Sequence, residues 1–240
     1  MKYCFLLLIF LLCVTNLYAQ QQPKTGNIIH FIFQNKVGDS LLQSNSVYHN
    51  AFDEPFTVRS FKYYISDIKL EYNNGNVHAI KIPPHLVNEA DSSSKILPFT
   101  APAGKIKTIR FLLGIDSATN VSGVQTGDLD PAKGMFWIWN TGYIMAKLEG
   151  ASAVSKAPGR QFSYDVGGYK PGENTAREIT LSIPSTKYQS STFIITTDIT
   201  KWFQNKNSIK ISSQPMCHSP GTLAMQIADN YTGMFSVHAQ

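Results

Sequence analysis

Trp137 and Trp139 stand one residue apart in "GMFWIWNTGYIMAKLEG" (134–150), in a chain that holds three tryptophans. At strand spacing the two indoles point to one face of a sheet. Such a pair either builds the wall of a site, where an indole can stack on a ligand or be oxidised, or packs a core. Both readings stand at this level. The other chemistry-bearing types are scattered. Histidines at 30, 49, 78, 85, 218 and 238 form no i, i+2 or i, i+4 pair. Cys217-His218 is the one adjacent pair of metal-capable side chains, and in a strand the two would face opposite ways, so a shared metal needs a turn there. Asp116, Asp128 and Asp130, with Asn120, offer oxygens that a calcium ion could use, although their spacing matches no fixed calcium loop and turn capping accounts for them equally well.

Catalytic patterns are missing. The chain has no Gly-x-Ser-x-Gly elbow, no His-Glu-x-x-His, no phosphate-cradling glycine loop and no Cys-x-x-Cys. A non-enzymatic protein is expected. The formal net charge of +5 is spread as single lysines and arginines rather than runs, which argues against nucleic acid.

The elements that must position these residues read mostly as strands. "NIIHFIFQNKVGDSLL" (27–42) alternates and turns near Lys36–Asp39, and "EPFTVRSFKYYISDIKLEYNNG" (54–75) is a long strand ending at an Asn-Asn-Gly turn with "NVHAIKI" as its return. "GKIKTIRFLLGID", "RQFSYDV", "AREITLSI", "STFIITTDI" and "GMFSVHA" follow the same pattern. Two short helices are expected, one capped by Asp198 over "ITKWFQN" with Trp202 and Phe203 inward. The other begins with Ser219 as N-cap and Pro220 in the first turn, and repeats Leu223, Ala224, Ile227 and Ala228 at helical spacing. The fold class is all-β, an antiparallel sandwich of two immunoglobulin-like sheets.

The opening "MKYCFLLLIFLLCVTNLYA" (1–19) reads as a secretory signal peptide cut near Ala19/Gln20, its apolar run being too short for a membrane span. A lipoprotein signal at Cys13 is the alternative, with Leu12 where a small residue should stand. Residues 20–26 form a flexible segment and 27–240 a single domain. The protein is therefore expected to be exported to the periplasm or beyond, with no transmembrane segment. Cys4 and Cys13 leave with the signal, so Cys217 has no disulfide partner and is either a buried small hydrophobe or a ligand.

In this order, "FTVRSFKYYISDIKL", "FLLGIDSATN", "GDLDPAKGMFWIWNTGYIMAKLEG", "FSYDVGG" and "LAMQIADNYTGMFSV" resemble the MbnP-like family of periplasmic copper-binding proteins, across nearly the whole chain after the signal. The resemblance implies metal handling. It also implies a possible partner, a dihaem cytochrome c peroxidase-like enzyme that oxidises a tryptophan to kynurenine, with Trp137 or Trp139 as the counterpart here. Copper in relatives is bound through such a kynurenine and histidines. Two positions depart from that pattern: Asp165 follows "FSY" where relatives have His, and Asn35 precedes the Val-Gly turn where they often have His. Imidazole suits copper better than carboxylate or amide, so the ligand set looks incomplete. The site expected from the resemblance comprises Trp137, Trp139, Asp165 and either His30 or His218. The alternative is an extracytoplasmic interaction or scaffold module that holds no metal.

Overall fold

The computed structural model describes residues 26–140 and 142–239. The segment expected to be a signal peptide (1–19), and residues 20–25 of the expected flexible segment, lie outside the described residues. In the remainder, strand β1 (Asn27–Val37) buries every second side chain, Ile29, Phe31, Phe33, Asn35 and Val37, as its alternation requires. The short strands β2 (Ser40–Leu41) and β3 (Tyr48–His49) lead into β4 (Pro55–Tyr72), which ends where Asn73–Gly75 turn the chain into β5 (Val77–Ala79). Then come β6 (His85–Asn88), β7 (Ile96–Ala101) and β8 (Ile106–Leu113). Helix α1 (Ser117–Val121) opens a covering loop that returns through β9 (Phe136–Trp137) to β10 (Gly142–Ala151). Strands β11 (Gln161–Gly167), β12 (Arg177–Ser182) and β13 (Thr192–Asp198) follow, then α2 (Thr200–Phe203), β14 (Met216–Cys217), α3 (Thr222–Tyr231) and β15 (Phe235–Ala239).

Two sheets form. The smaller runs β15-β13-β1-β2 with β7 also on β1; the larger runs β12-β8-β4-β10-β11-β14, with β3, β5 and β6 on β4 and β9 on β10. Their facing sides share one core in which Phe31, Phe33, Phe61, Tyr63, Phe111 and Trp202 are fully buried or nearly so. Edge-on aromatic contacts such as Phe33–Tyr63 and Phe111–Phe235 join one sheet to the other.

The expectation of an antiparallel sandwich needs correction in two places. β1 pairs with β13 in parallel, and β11 pairs with β14 in parallel. Only strands joined by a tight turn must run antiparallel, and both of these pairs join segments distant in the chain. The helices also differ in detail. Asp198 accepts the Thr200 N–H at the start of α2, and Trp202 and Phe203 are buried, as expected. α3, however, starts at Thr222 after Gly221, and Ser219 caps nothing there. Among the described residues no helix is long and apolar enough to cross a membrane.

Candidate functional site

The pleat of three neighbouring strands assigns the side chains at the centre of this site. On β10, Ala146 and Leu148 face the core, so Lys147 and Glu149 face outward. On β11, Phe162, Tyr164 and Val166 enter the core while Ser163, Asp165 and Gly167 face outward. Lys147 stands in register with Lys62 on β4 and with Asp165 on β11. Beyond β11, Cys217 lies beside Tyr164 and enters the core; the paired register ends there, and exposed His218 follows as the next residue.

Part of this outer face is roofed. The loop between β8 and β10 folds over it and forms a second small core from Tyr64, Leu86, Leu129, Met135, Trp137, Tyr143 and Met145. The loop is held by its own polar groups. Buried Asn120 accepts the Tyr143 N–H through Oδ1 at 2.9 Å, and the Tyr143 hydroxyl donates to the Leu129 carbonyl at 2.9 Å. Trp137 pairs with Gly142 through its strand, and its ring lies against Gly167. A Cβ at Gly167 would stand 2.8 Å from that ring and 2.8 Å from the Tyr143 carbonyl, so only glycine admits this approach.

Trp139 does not share a strand face with Trp137. β9 ends at Trp137, and Ile138–Asn140 form a turn. Trp137 is 5% exposed and Trp139 66%, yet the rings remain in contact, with centroids 5.5 Å apart and planes tilted by 37°. The spacing argument fails here because the strand is two residues long, and the rings meet as a tilted pair across the turn rather than side by side on a pleat.

The charges form a row. Lys147 Nζ lies 3.2 Å from Asp165 Oδ1 and 3.7 Å from Glu149 Oε1, and Arg59 approaches Glu149 Oε2 at 3.8 Å. Despite the ion pair, Asp165 Oδ1 is buried without a hydrogen-bond partner. Burial pushes the Asp165 carboxyl above its ordinary range, and the Lys147 ammonium and His218 draw it only part of the way back. Lys62, which donates to the Lys133 carbonyl at 2.8 Å, is held below the usual lysine range by burial and by Lys147 beside it.

Of the residues that sequence reasoning singled out for a metal, Asp165 and His218 lie near enough for His218 to favour the charged form of the Asp165 carboxyl, without an ion pair between them. His30 sits apart, on the smaller sheet in register with Thr192 and Pro98. Asn35 also belongs elsewhere. It lies in the core between the sheets, donating to Glu89 at 2.7 Å and accepting from the Tyr63 hydroxyl at 3.0 Å. Cys217 is buried and its thiol is pushed up to about 11, a small hydrophobe rather than a ligand. The three aspartates considered for calcium serve separate turns. Asp116 caps α1 through Thr119 and Asp130 accepts from the Ala132 N–H. Asp128 accepts from the Leu86 N–H at 2.9 Å and pairs with His85 at 3.2 Å. No group of three or more His, Cys, Asp or Glu side chains among the described residues is placed to hold a metal.

A groove of about 710 Å³ opens elsewhere, beside Ile82, Pro84, His85, Leu97 and Leu129. The imidazole there is already engaged, its Nε2 at 2.7 Å from the Ser94 carbonyl and its Nδ1 facing Asp128. Sequence reasoning missed Lys147 and Glu149, although their alternation with Ala146 and Leu148 was a readable signal.

A family model described as MbnP matches residues 26–219. The solved structure of MbnP from Methylosinus trichosporium superposes with a TM-score of 0.57 at 12% identity, covering 89% of this chain and 98% of that one. No curated protein matches the chain.

Proposed function

This chain belongs to the MbnP family of non-catalytic binding or scaffold proteins, and from that premise we propose an exported protein that handles copper as cargo on the face around Trp137, Asp165 and His218. Export follows from the signal-like segment 1–19. The observation that supports the site is the buried Asp165 carboxylate, whose Oδ1 faces the Lys147 ammonium at 3.2 Å and whose charge is also favoured by His218. A desolvated oxygen with no hydrogen-bond donor is costly unless a cation or donor completes it. Lys147 is the cation that completes it in this structure, 3.2 Å from Oδ1. His218 is the stronger donor toward copper and Asp165 the weaker, and the Lys147 ammonium is the cation that the metal must displace or tolerate.

Equilibrium dialysis against Cu(I) and Cu(II) tests the reading. It expects about one copper per chain, lost in His218→Ala and retained in His30→Ala, since one imidazole is the chief donor. Stoichiometry well below one at micromolar metal would favour the second reading, an extracytoplasmic interaction module without metal. That reading draws support from the exposed tip Ile138-Trp139, which offers an apolar contact outside the core. A dihaem peroxidase-like partner that oxidises a tryptophan would meet Trp139 at the surface, and Trp137, whose ring lies 5.5 Å from it, remains within reach of electron transfer. Intact and peptide masses of protein from its native host check this, and a peptide with both tryptophans unmodified would count against it.

A further inference from the structure

The two sheets treat their outer faces differently. The covering loop roofs part of the larger sheet, and α2 and α3 bury Trp202, Phe203, Ile227 and Tyr231 in the shared core. Among the described residues nothing roofs the smaller sheet in the same way, and the pleat sets which of its side chains face out. Ile32 on β1 stands in register with Ile96 on β7 and with Ile194 on β13, which in turn pairs with His238 on β15. Beside this row lie Pro98, His30 and Thr192, then Thr100 and Ile28; on its other side lie Gln34, Thr196 and Ser236. Ile28 is 60% exposed and Ile96 51%. No Asp, Glu, Lys or Arg occurs in these rows. Lys36 and Asp198, in register at one end, are the first, and their charges cancel.

We infer that this face is the interface of a reversible dimer, in which a second copy packs sheet against sheet about a two-fold axis. Charge favours that occupant. Two copies of a chain with a formal net charge of +5 repel each other, and contact through an uncharged face keeps their fixed charges farthest apart. Shape agrees as well. Sheets packed face to face interdigitate their side chains, and this face offers isoleucine, threonine and proline rather than long charged residues. Four strands wide and nine residues of β1 long, it measures roughly 19 by 26 Å. The relief of its side chains brings the accessible area close to the roughly 800 Å² per partner of a standard interface, which fits association in the micromolar range. Strand addition is the wrong geometry here, because β7 is an edge strand and its Pro98 lacks the N–H that another strand would need. Nothing in this dimer depends on the copper-binding face, which lies on the other sheet.

Sedimentation equilibrium from about 1 to 200 µM tests the dimer, since interfaces of this size dissociate over that range. Wild type is expected to double its apparent mass as its concentration rises. Ile28→Lys combined with Ile96→Lys sets like charges against like and should weaken dimerisation at least about tenfold. Both residues are exposed, so the melting temperature should match wild type. The companion Ile28→Glu with Ile96→Glu should not self-associate either, yet should pair with the lysine variant, a recovery that a misfolded chain would not show. A wild type that stays monomeric throughout overturns the inference and leaves the face to a different protein. A dimer that survives in the lysine variant, or lysine and glutamate variants that fail to pair, would place any dimer interface elsewhere and overturn it too.

Discussion

At Asp165 the carboxylate is charged at an electrostatic cost. Its folded pKa lies above the ordinary value of 3.8, so the folded chain holds the proton more readily than the unfolded chain. Stability contributed here is therefore greatest at low pH and declines as the pH rises through the raised value. Asp165→Asn is expected to melt no lower than wild type at pH 7, and the two should converge as the pH falls toward 3.8. A clear drop in melting temperature at pH 7 would mean that the Lys147 pair stabilises the fold on balance. The two tryptophans separate in the same way. Trp137→Ala removes a buried ring and should cost about 3–5 kcal/mol, whereas Trp139→Ala should stay within about 0.5 kcal/mol. Equal losses in denaturant unfolding would contradict the assignment of Trp137 to packing and Trp139 to the surface.

Among the elements, β4 is anchored at its start by Glu54. This carboxylate accepts from Asn50 Nδ2 at 2.7 Å and from the backbone N–H groups of Ile211 and Ser212 at 2.8 and 3.0 Å. Burial opposes its charge, but these bonds and the Ser212 hydroxyl outweigh burial and hold the carboxyl below 4.5. Its contribution is present above the unfolded value and is lost as the pH falls through the folded one. Glu54→Gln should lower stability at pH 7 by about 1.5–3 kcal/mol, with the difference from wild type shrinking in acid; chemical denaturation at several pH values measures both. β1 is legible in the sequence because one of its faces is buried and the period of two survives along it, whereas β4 and β8 keep that period only in stretches and are legible by their apolar, β-branched and aromatic content. The end of β9 is not, since only the covering loop stops that strand before Trp139. The parallel pairings of β1 with β13 and β11 with β14 are equally unreadable, because nothing local to either strand encodes a distant neighbour.

At the scale of the whole molecule, the two sheets keep their core between them, and the covering loop seals part of the larger sheet's outer face. The β10–β11–β14 end of that face carries Asp165, with exposed His218 just past the end of β14. Of the residues proposed for this site, Trp137, Asp165 and His218 can be named from the sequence, but that His30 belongs to the other sheet and that Lys147 pairs with Asp165 emerge only from cross-strand register. The same face accounts for both proposed readings, as a copper carrier or as a contact surface. The measurement that separates them most directly is a Cu(I) titration followed by NMR of the six imidazoles. The account predicts that the His218 ring resonances shift and saturate while those of His30, His49, His78, His85 and His238 stay in place. A response at His30, or no response at any histidine, would contradict it.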